Sequence, residues 1–342
     1  MIIRARAPLR IGLAGGGTDV SPFCDEFGGL VLNTTIDRYA YATITLRADQ
    51  EIHFFSSDKG CRESYAVSSS FGIEGSCLLL KATYLHMIKN YNSGNIIALD
   101  LCTFCDSPPG SGLGSSSTLV VAIVKAFSGL LDLYLDNYVI AEIAHTIERV
   151  ECSLLGGRQD HYSAVFGGFN FIEFNEGDKV VVNPLILPQW IIQELEASLI
   201  LFFTGVSRDS DRIIADQSAN MINKDKGAMN ALHGIKKESL SMKMALLRGD
   251  FSGIVQSMKT GWANKKKSSS VISNPFIETI YSAAIDSGAL AGKVSGAGGG
   301  GFMIFFVPLD KRKQVIDTLS SFDGELSNTH FTDIGARFWK TE

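Results

Sequence analysis

The stretch Pro108-Pro109-Gly110-Ser111-Gly112-Leu113-Gly114-Ser115-Ser116-Ser117-Thr118 joins a glycine-rich turn to a run of hydroxyl side chains. That combination suits an anion. Glycines at alternate positions let successive backbone N–H groups converge on one point, and a following helix adds its unpaired amides and the positive end of its dipole. Leu119, Val120, Ile123, Val124, Phe127, Leu130 and Leu131 recur at three- and four-residue steps and predict that helix. At its first turn Ser115 and Ser116 can divide two duties, one capping the helix and the other offering a hydroxyl to a nucleotide-bound magnesium. A dinucleotide fingerprint fits less well, because two prolines stand where the preceding strand should be, and a Walker loop needs a lysine that is not there. An ordinary glycine-rich helix start would use the same residues.

Two further glycine clusters raise the same question. In Ala14-Gly15-Gly16-Gly17-Thr18-Asp19 the consecutive glycines offer nothing to pack, so they imply close approach by something else. Thr18 and Asp19 place a hydroxyl and a carboxylate at one spot, a pair suited to sugar hydroxyls; a tight turn with an Asx cap accounts for them equally well. Near the end, Lys293-Val294-Ser295-Gly296-Ala297-Gly298-Gly299-Gly300-Gly301 runs into an apolar strand, which again suggests backbone laid against a ligand. Between these lies Leu155-Gly156-Gly157-Arg158-Gln159-Asp160-His161. Asp160 either caps a helix or stands at a cleft edge, where it can accept a substrate hydroxyl proton. Glu148, on a preceding helix, is by position alone a solvated carboxylate. His161 has no evident partner and reads as structural or as a substrate contact, not as a metal ligand.

The elements that must carry these residues follow from periodicity. Strands are expected over residues 2–13, 36–46, 51–55, 96–104, 199–203 and 302–307, with a last one in the tail from His330 to Trp339. Helices are expected over 78–89 and 137–152, the second with Ile140, Ile143, Ala144, Ile147 and Val150 on one face, and helical patterning dominates 210–290. The polar stretch 175–188, with its prolines, predicts a junction between domains of residues 1–180 and 181–342. At 342 residues, with 45% hydrophobic and 20% charged side chains, the composition is that of a soluble globular protein. A net charge of −5 argues against nucleic-acid partners. No segment has transmembrane length and the start lacks an uninterrupted signal-type apolar region, so a cytoplasmic protein without membrane partners is expected. The six cysteines include one C-x2-C pair, Cys102 and Cys105, with no second pair to complete a zinc site, and are expected as reduced, buried thiols. Lys265-Lys266-Lys267 beside a serine run reads as a solvated loop.

Taken together, the three clusters resemble the motifs of the GHMP kinase superfamily: Ala7-Pro8-Leu9-Arg10 through Asp19, Pro109 through Ser117, and Lys293 through Gly301, with Asp160 in the interval between the second and third. The resemblance covers nearly the whole chain. The Gly-Gly-Gly-Thr-Asp form of the first motif and the Gly-Arg-Gln-Asp at Asp160 are most like the D-glycero-D-manno-heptose 7-phosphate kinase branch, with L-fucokinase-like enzymes as neighbours. It implies an α+β fold of two domains, a ribosomal protein S5 domain 2-like N-terminal domain and a ferredoxin-like C-terminal one. It also implies transfer of the ATP γ-phosphoryl group to the anomeric hydroxyl of a phosphorylated heptose, giving the 1,7-bisphosphate for nucleotide-activated heptose and surface polysaccharide.

Carried onto this sequence, Pro109, Gly110, Ser111, Gly112, Leu113, Gly114, Ser115, Ser116 and Ser117 would wrap ATP. Ser116 and Glu148 would hold Mg2+, with Glu151 as the alternative to Glu148. Asp160 would be the catalytic base, facing Arg10, while Gly16, Gly17, Thr18 and Asp19 would grip the sugar together with His161, Gly298 and Gly299. Arg158 and Arg208 are candidates for the sugar's existing phosphate, and Lys293 for neutralising charge. Adenine is expected among residues 52–60 and 78–90. A homodimer is compatible with this picture. Two departures matter: His161 stands where this branch commonly has glutamine, and the Glu-His-Thr-Asp of galactokinase is absent. An L-fucokinase-like or other sugar 1-kinase, or a non-catalytic sugar and nucleotide sensor, are the rival expectations.

Overall fold

The computed structural model describes residues 1–177, 179–206, 210–328 and 330–341. Alternation of arginine with Ile3, Ala5 and Ala7 turns one face of the first strand, β1 (Ile2–Ala14), fully into the core. β1 lies between two antiparallel partners, β2 (Gly29–Leu46) and the terminal strand β12 (Arg337–Thr341). β2 is long enough to hold two neighbours on its far side: β5 (Leu99–Cys105) pairs with residues 40–46 and β6 (Phe169–Phe174) with residues 29–34. β3 (Glu51–Ser56) lies parallel to β5, and β4 (Cys61–Ala66) and β7 (Val180–Pro184) complete an eight-stranded sheet.

Two helices, α3 (Ser115–Leu130) and α5 (Gln159–Phe166), pack on β1 and β2. They are flanked by α2 (Leu78–Tyr91) and α4 (Asn137–His145). The second sheet is antiparallel throughout, in the order β11 (Glu325–Ser327), β8 (Leu199–Phe203), β10 (Phe302–Phe306), β9 (Ala291–Val294). Phe202, Met303, Phe305, Ile277 and Ile280 centre its core. The expected helical region resolves into α7 (Ser210–Ile222), α8 (Lys226–Arg248), α9 (Phe251–Ser268) and α10 (Pro275–Asp286). α8 and α9 also contact β1, so they roof the gap between the sheets. The architecture is α+β, as expected. No helix among the described residues is long and apolar enough to cross a membrane. We propose that the chain divides close to the expected point: β7 begins at residue 180 on the first sheet, the second sheet draws on residues 199–327, and β12 returns to β1.

One departure from the expected elements repositions a functional side chain. The helix expected over 137–152 is α-helical only to His145, and Thr146–Glu151 form a π-helical turn in which Cys152 N donates to Ile147 O, five residues back. The wider turn breaks the three- and four-residue phase. Val150, expected on the apolar face, is exposed, while Glu148 is turned inward and buried.

Candidate functional site

β1 carries Arg10 to the mouth of the phosphate-type loop, and the buried guanidinium is used three ways. Its Nε donates to Asp160 Oδ1 at 2.6 Å and its Nη1 to Gly112 O at 2.6 Å, with Ser295 Oγ at 3.5 Å. Ser295 Oγ also donates to Gly112 O, at 2.9 Å. One carbonyl thus gathers the first motif, the loop and the third glycine cluster. Asp160 sits in the first turn of α5 and keeps 18% of its side chain exposed, toward the cleft between the sheets. A Cβ on Gly114 would lie 3.1 Å from Asp160 Oδ2, so the carboxylate abuts the N-terminus of α3. Gly114 is the N-cap of that helix, with φ +77°, and no side chain caps it; the expected serine cap is not made, because the left-handed glycine occupies the capping position itself.

Gly110, Gly112, Gly114, Ser115, Ser116 and Ser117 line the cleft. Ser111 and Leu113 do not: Leu113 is core, and Ser111 Oγ is 2.7 Å from Ser107 Oγ, so these two contribute backbone geometry rather than side chains. Pro109 also lies off the cleft wall. Glu148 reaches the cleft from the π-helical turn. Ser117 Oγ donates to its Oε2 at 2.6 Å, His161 Nε2 lies 2.7 Å away and Arg149 Nη2 3.3 Å away. Burial opposes ionisation, but the Arg149 guanidinium and His161 overcome it and hold the Glu148 carboxyl well below the usual carboxylate range. Glu151, the alternative, is on the outer surface with His86 Nδ1 at 2.7 Å and does not reach the cleft.

Several expected substrate contacts are placed elsewhere. His161 is fully buried behind Glu148, with His145 edge-on at 5.5 Å, so it acts on the carboxylate and not on the cleft. The Thr18 hydroxyl is consumed inside its own turn, donating to Gly15 O and Leu30 O and accepting from Leu30 N. Arg158 is off the cleft wall and meets Asp25 at 3.2 Å. Arg208 lies outside the described residues. Gly298 and Gly299 pack on α10's leading loop, Gly299 N donating to Ile272 O, and a Cβ on Gly298 would meet Ile272 at 2.8 Å. The third cluster is glycine-rich because it presses on the chain's own backbone: a Cβ on Gly296 would lie 2.9 Å from Gly112 Cα, and one on Gly301 2.3 Å from Ser111 O. Gly296 alone of its glycines lines the cleft, beside Ala297. Residues 52–60 and 78–90 line no part of it; Phe54 and Tyr84 pack against Phe71 in the first core.

Asp19 also lines the cleft. Its carboxylate accepts from Gly17 N at 3.0 Å and from Gln159 N and Nε2 at 3.2 Å. Gln159 went unnoticed in the sequence; it lines the cleft, and its buried Oε1 has no partner among the described residues. Lys265 departs from expectation as well. Lys265 is not in a solvated loop: it ends α9, is buried, lines the cleft and donates to Gly16 O at 2.8 Å. Lys293, half-buried, donates to Gly12 O at 2.8 Å. Burial, then Lys265 and Arg10, push its ammonium down to about 7. The remaining basic run conforms better, with Lys266 paired to Glu278 at 2.9 Å.

The site is thus a carboxylate coupled to an arginine, between a glycine-rich helix N-terminus and a carboxylate-bearing turn. Comparison with known proteins shows the family. Residues 79–168 match the GHMP kinases N terminal domain and residues 242–324 the GHMP kinases C terminal. A D-glycero-alpha-D-manno-heptose 7-phosphate kinase of Campylobacter jejuni is 42% identical over 338 residues, 99% of each chain. An L-fucokinase/L-fucose-1-P guanylyltransferase of Bacteroides fragilis is 27% identical over 88% of this chain and 34% of that longer protein. The crystal structure of a D-glycero-D-manno-heptose 1-phosphate kinase of Bacteroides thetaiotaomicron superposes with a TM-score of 0.85 at 39% identity, covering 99% of each chain. The chain belongs to the GHMP kinase family and is a phosphotransferase.

Proposed function

We propose that this protein transfers the γ-phosphoryl group of ATP to the anomeric hydroxyl of D-glycero-D-manno-heptose 7-phosphate. The observation that carries the reading is the 2.6 Å pair of Arg10 and Asp160 set between the phosphate loop and Asp19. Phosphoryl transfer asks mainly for alignment and for positive charge where negative charge develops. The amides of the Gly110–Gly114 turn and the start of α3 take the ATP phosphates. Asp19 and Gln159 take sugar hydroxyls, the carboxylate as acceptor and the unpartnered Gln159 Oε1 as a second acceptor. Asp160 accepts the hydroxyl proton, and Arg10, bonded to its Oδ1, orients it and leaves Oδ2 for the substrate. Because Arg10 also grips Gly112 O, base and phosphate loop are set at a fixed spacing.

The residues also fit Mg2+. A buried, ionised Glu148 facing the cleft beside the exposed hydroxyl of Ser116 is a hard-oxygen pair of the kind that ion prefers, and Ser117, Arg149 and His161 orient the carboxylate. When bound there, the ion supplies charge neutralisation of the β- and γ-phosphates.

The test is ATP consumption with magnesium against D-glycero-D-manno-heptose 7-phosphate, the unphosphorylated heptose, L-fucose, D-galactose and mevalonate, for the wild type and Asp160→Asn. Turnover confined to the 7-phosphate is expected, with kcat of the variant lower by about 10²- to 10⁴-fold and ATP affinity retained. Turnover of L-fucose instead would move the protein to the L-fucokinase-like reading, and an unchanged kcat in Asp160→Asn would remove Asp160 as the base.

A further inference from the structure

Of the six cysteines none is in a disulfide, and among the described residues only Cys61 and Cys77 have their sulfurs within hydrogen-bond reach of each other, 3.1 Å apart. They stand away from the kinase site, since no residue from 61 to 91 lines the cleft. Cys61 opens β4 opposite Ser56 of β3 and is partly exposed; Cys77 is the buried residue just before α2. The main chains around the two sulfurs are tied together as well. Cys77 N donates to Glu63 Oε1 at 2.8 Å and Ser76 Oγ to the same oxygen at 2.9 Å. Glu63 lies two places from Cys61, on the same face of the strand, so the start of α2 is fastened beside the Cys61 thiol. The second Glu63 oxygen accepts from Lys81 Nζ, in the first turn of α2, at 2.7 Å and from the Tyr65 hydroxyl at 2.6 Å. Cys61 Sγ is itself 3.5 Å from Ser76 O. The pair is therefore held by groups that keep their bonds whatever the sulfurs do.

A disulfide needs its sulfurs about 2.0 Å apart, so closing this pair asks for about 1 Å of approach between side chains whose backbones are already joined. The two thiols differ as an exchange reaction requires. Cys61 is the one that a reagent from solvent can meet. Cys77 is shut away, and burial, then Cys61 and the Glu63 carboxylate, push its thiol up to about 12. It is a poor first nucleophile and acts second, on a sulfur already delivered to it. We propose that Cys61 and Cys77 form a redox modification site, which a small-molecule disulfide such as glutathione disulfide closes into a reversible, stabilising cross-link between β4 and α2. The Cys61 thiolate attacks one glutathione sulfur, forming a mixed disulfide and releasing one glutathione thiolate. Cys77 sulfur then attacks Cys61 Sγ, the bond from Cys61 to glutathione breaks, and the second glutathione leaves with that electron pair and takes up the Cys77 proton. The protein gives up two electrons and two protons, and one glutathione disulfide becomes two glutathiones. The new bond closes the loop of residues 61–77, which removes freedom from the unfolded chain that the folded chain does not use. With both cysteines off the cleft, its effect falls on stability, through a corner where α2 packs on α3 and on the π-helical turn.

The experiment treats the full-length, reduced protein with excess glutathione disulfide at mildly alkaline pH and follows intact mass, non-reducing peptide maps and thermal unfolding. A transient adduct of one glutathione is expected, then a product lighter than the reduced protein by two hydrogens, in which the peptides of Cys61 and Cys77 are joined. Its Tm by circular dichroism should exceed that of the reduced protein by about 5 °C or more, and dithiothreitol should return both mass and Tm. Cys77→Ser should stop at the glutathione adduct on Cys61, and Cys61→Ser should form no cross-link at Cys77. Cys77→Ala and Cys61→Ala serve where a serine variant does not fold, and the peptide map of the wild type decides the matter without any variant. An unchanged mass, an adduct that persists on Cys61 of the wild type, or a cross-link between other cysteines would each overturn the proposal. A bond between Cys61 and Cys77 that lowers Tm overturns it too, because the cross-link would then strain the fold instead of stapling it.

Discussion

Replacing Lys293 with methionine should stabilise the protein at pH 6 and fail to do so at pH 10. In the unfolded chain the ammonium keeps its ordinary value of 10.5; in the folded one, burial together with Lys265 and Arg10 pushes it down to about 7. Between those values the unfolded chain binds a proton that the folded chain does not, so stability rises with pH from about 7 to about 10.5, and below about 7 the whole penalty is present. A gap of about 3.5 pH units at about 1.4 kcal/mol each is on the order of 5 kcal/mol. Methionine has nearly the same length without the charge, but it leaves Gly12 O and Leu13 O without their donor, a loss of about 1–3 kcal/mol. The balance at pH 6 is a gain of about 2–4 kcal/mol, or roughly 4–12 °C in Tm if each kcal/mol moves it by about 2–3 °C. At pH 10 most of the penalty is already gone and the lost hydrogen bonds leave the variant level or about 1–2 kcal/mol worse. Thermal unfolding followed by circular dichroism at the two pH values reads this directly. A variant less stable than the parent by the same margin at both would mean that Lys293 is comfortably charged in the fold, and the electrostatic reasoning would be wrong.

Two further substitutions probe how the site is held. Gly296→Ala forces a side chain into a left-handed backbone (φ +75°) and against Gly112 Cα, so it should push the phosphate loop and raise KM for ATP about 10-fold or more, while an unchanged ATP dependence would separate the third cluster from the loop. Lys81→Met removes the partner of Glu63, 2.7 Å away in the wall behind β4, and should cost about 3 kcal/mol at neutral pH. Burial works against the Glu63 anion, yet Lys81, Tyr65 and Cys77 N hold it down to about 2, so in the parent this stability is full above about 4.5 and drains as pH falls toward about 2; the variant's acid limb should be flatter, which an acid titration of its far-UV signal will show.

What could be read from the sequence was what local pattern dictates. β1, α2, α3, β8 and β10 follow from alternation and helical periodicity, and their observed limits lie close to those expected. The pairing of Arg10 with Asp160 was expected through the family resemblance, since nothing local links residues so far apart. The misreadings share a cause in long-range geometry. Lys265 looked solvated because a basic run at a helix end usually is, and only the packing of α9 over β1 shows that one of the three lysines turns inward. His161 and Glu148 come together because the π-helical turn and α5 meet, a contact no spacing rule encodes. Gly298 and Gly299 looked like ligand-facing backbone, yet open φ space serves equally where two stretches of the same chain must touch. Gln159, polar and next to an aspartate, carried no signal until Asp19 was seen against it.

The π-helical turn at Thr146–Glu151 makes the site a matter of angular phase as well as of residue identity. Five-residue rather than four-residue closure accommodates one amino acid more than a regular α-helix would need along the same path. Removing one residue there would leave every functional side chain in the sequence and allow an unbroken α-helix from Asn137 onward. It would also move the side chains within the turn by one place, about 100° around the helix axis, while the flanking segments keep their path. Glu148 and its partners Ser117, Arg149 and His161 could then no longer all face one another. A chain with an intact motif list and a well-formed helix would have lost its carboxylate from the cleft, so likeness to this protein counts only when the register across these six residues is kept.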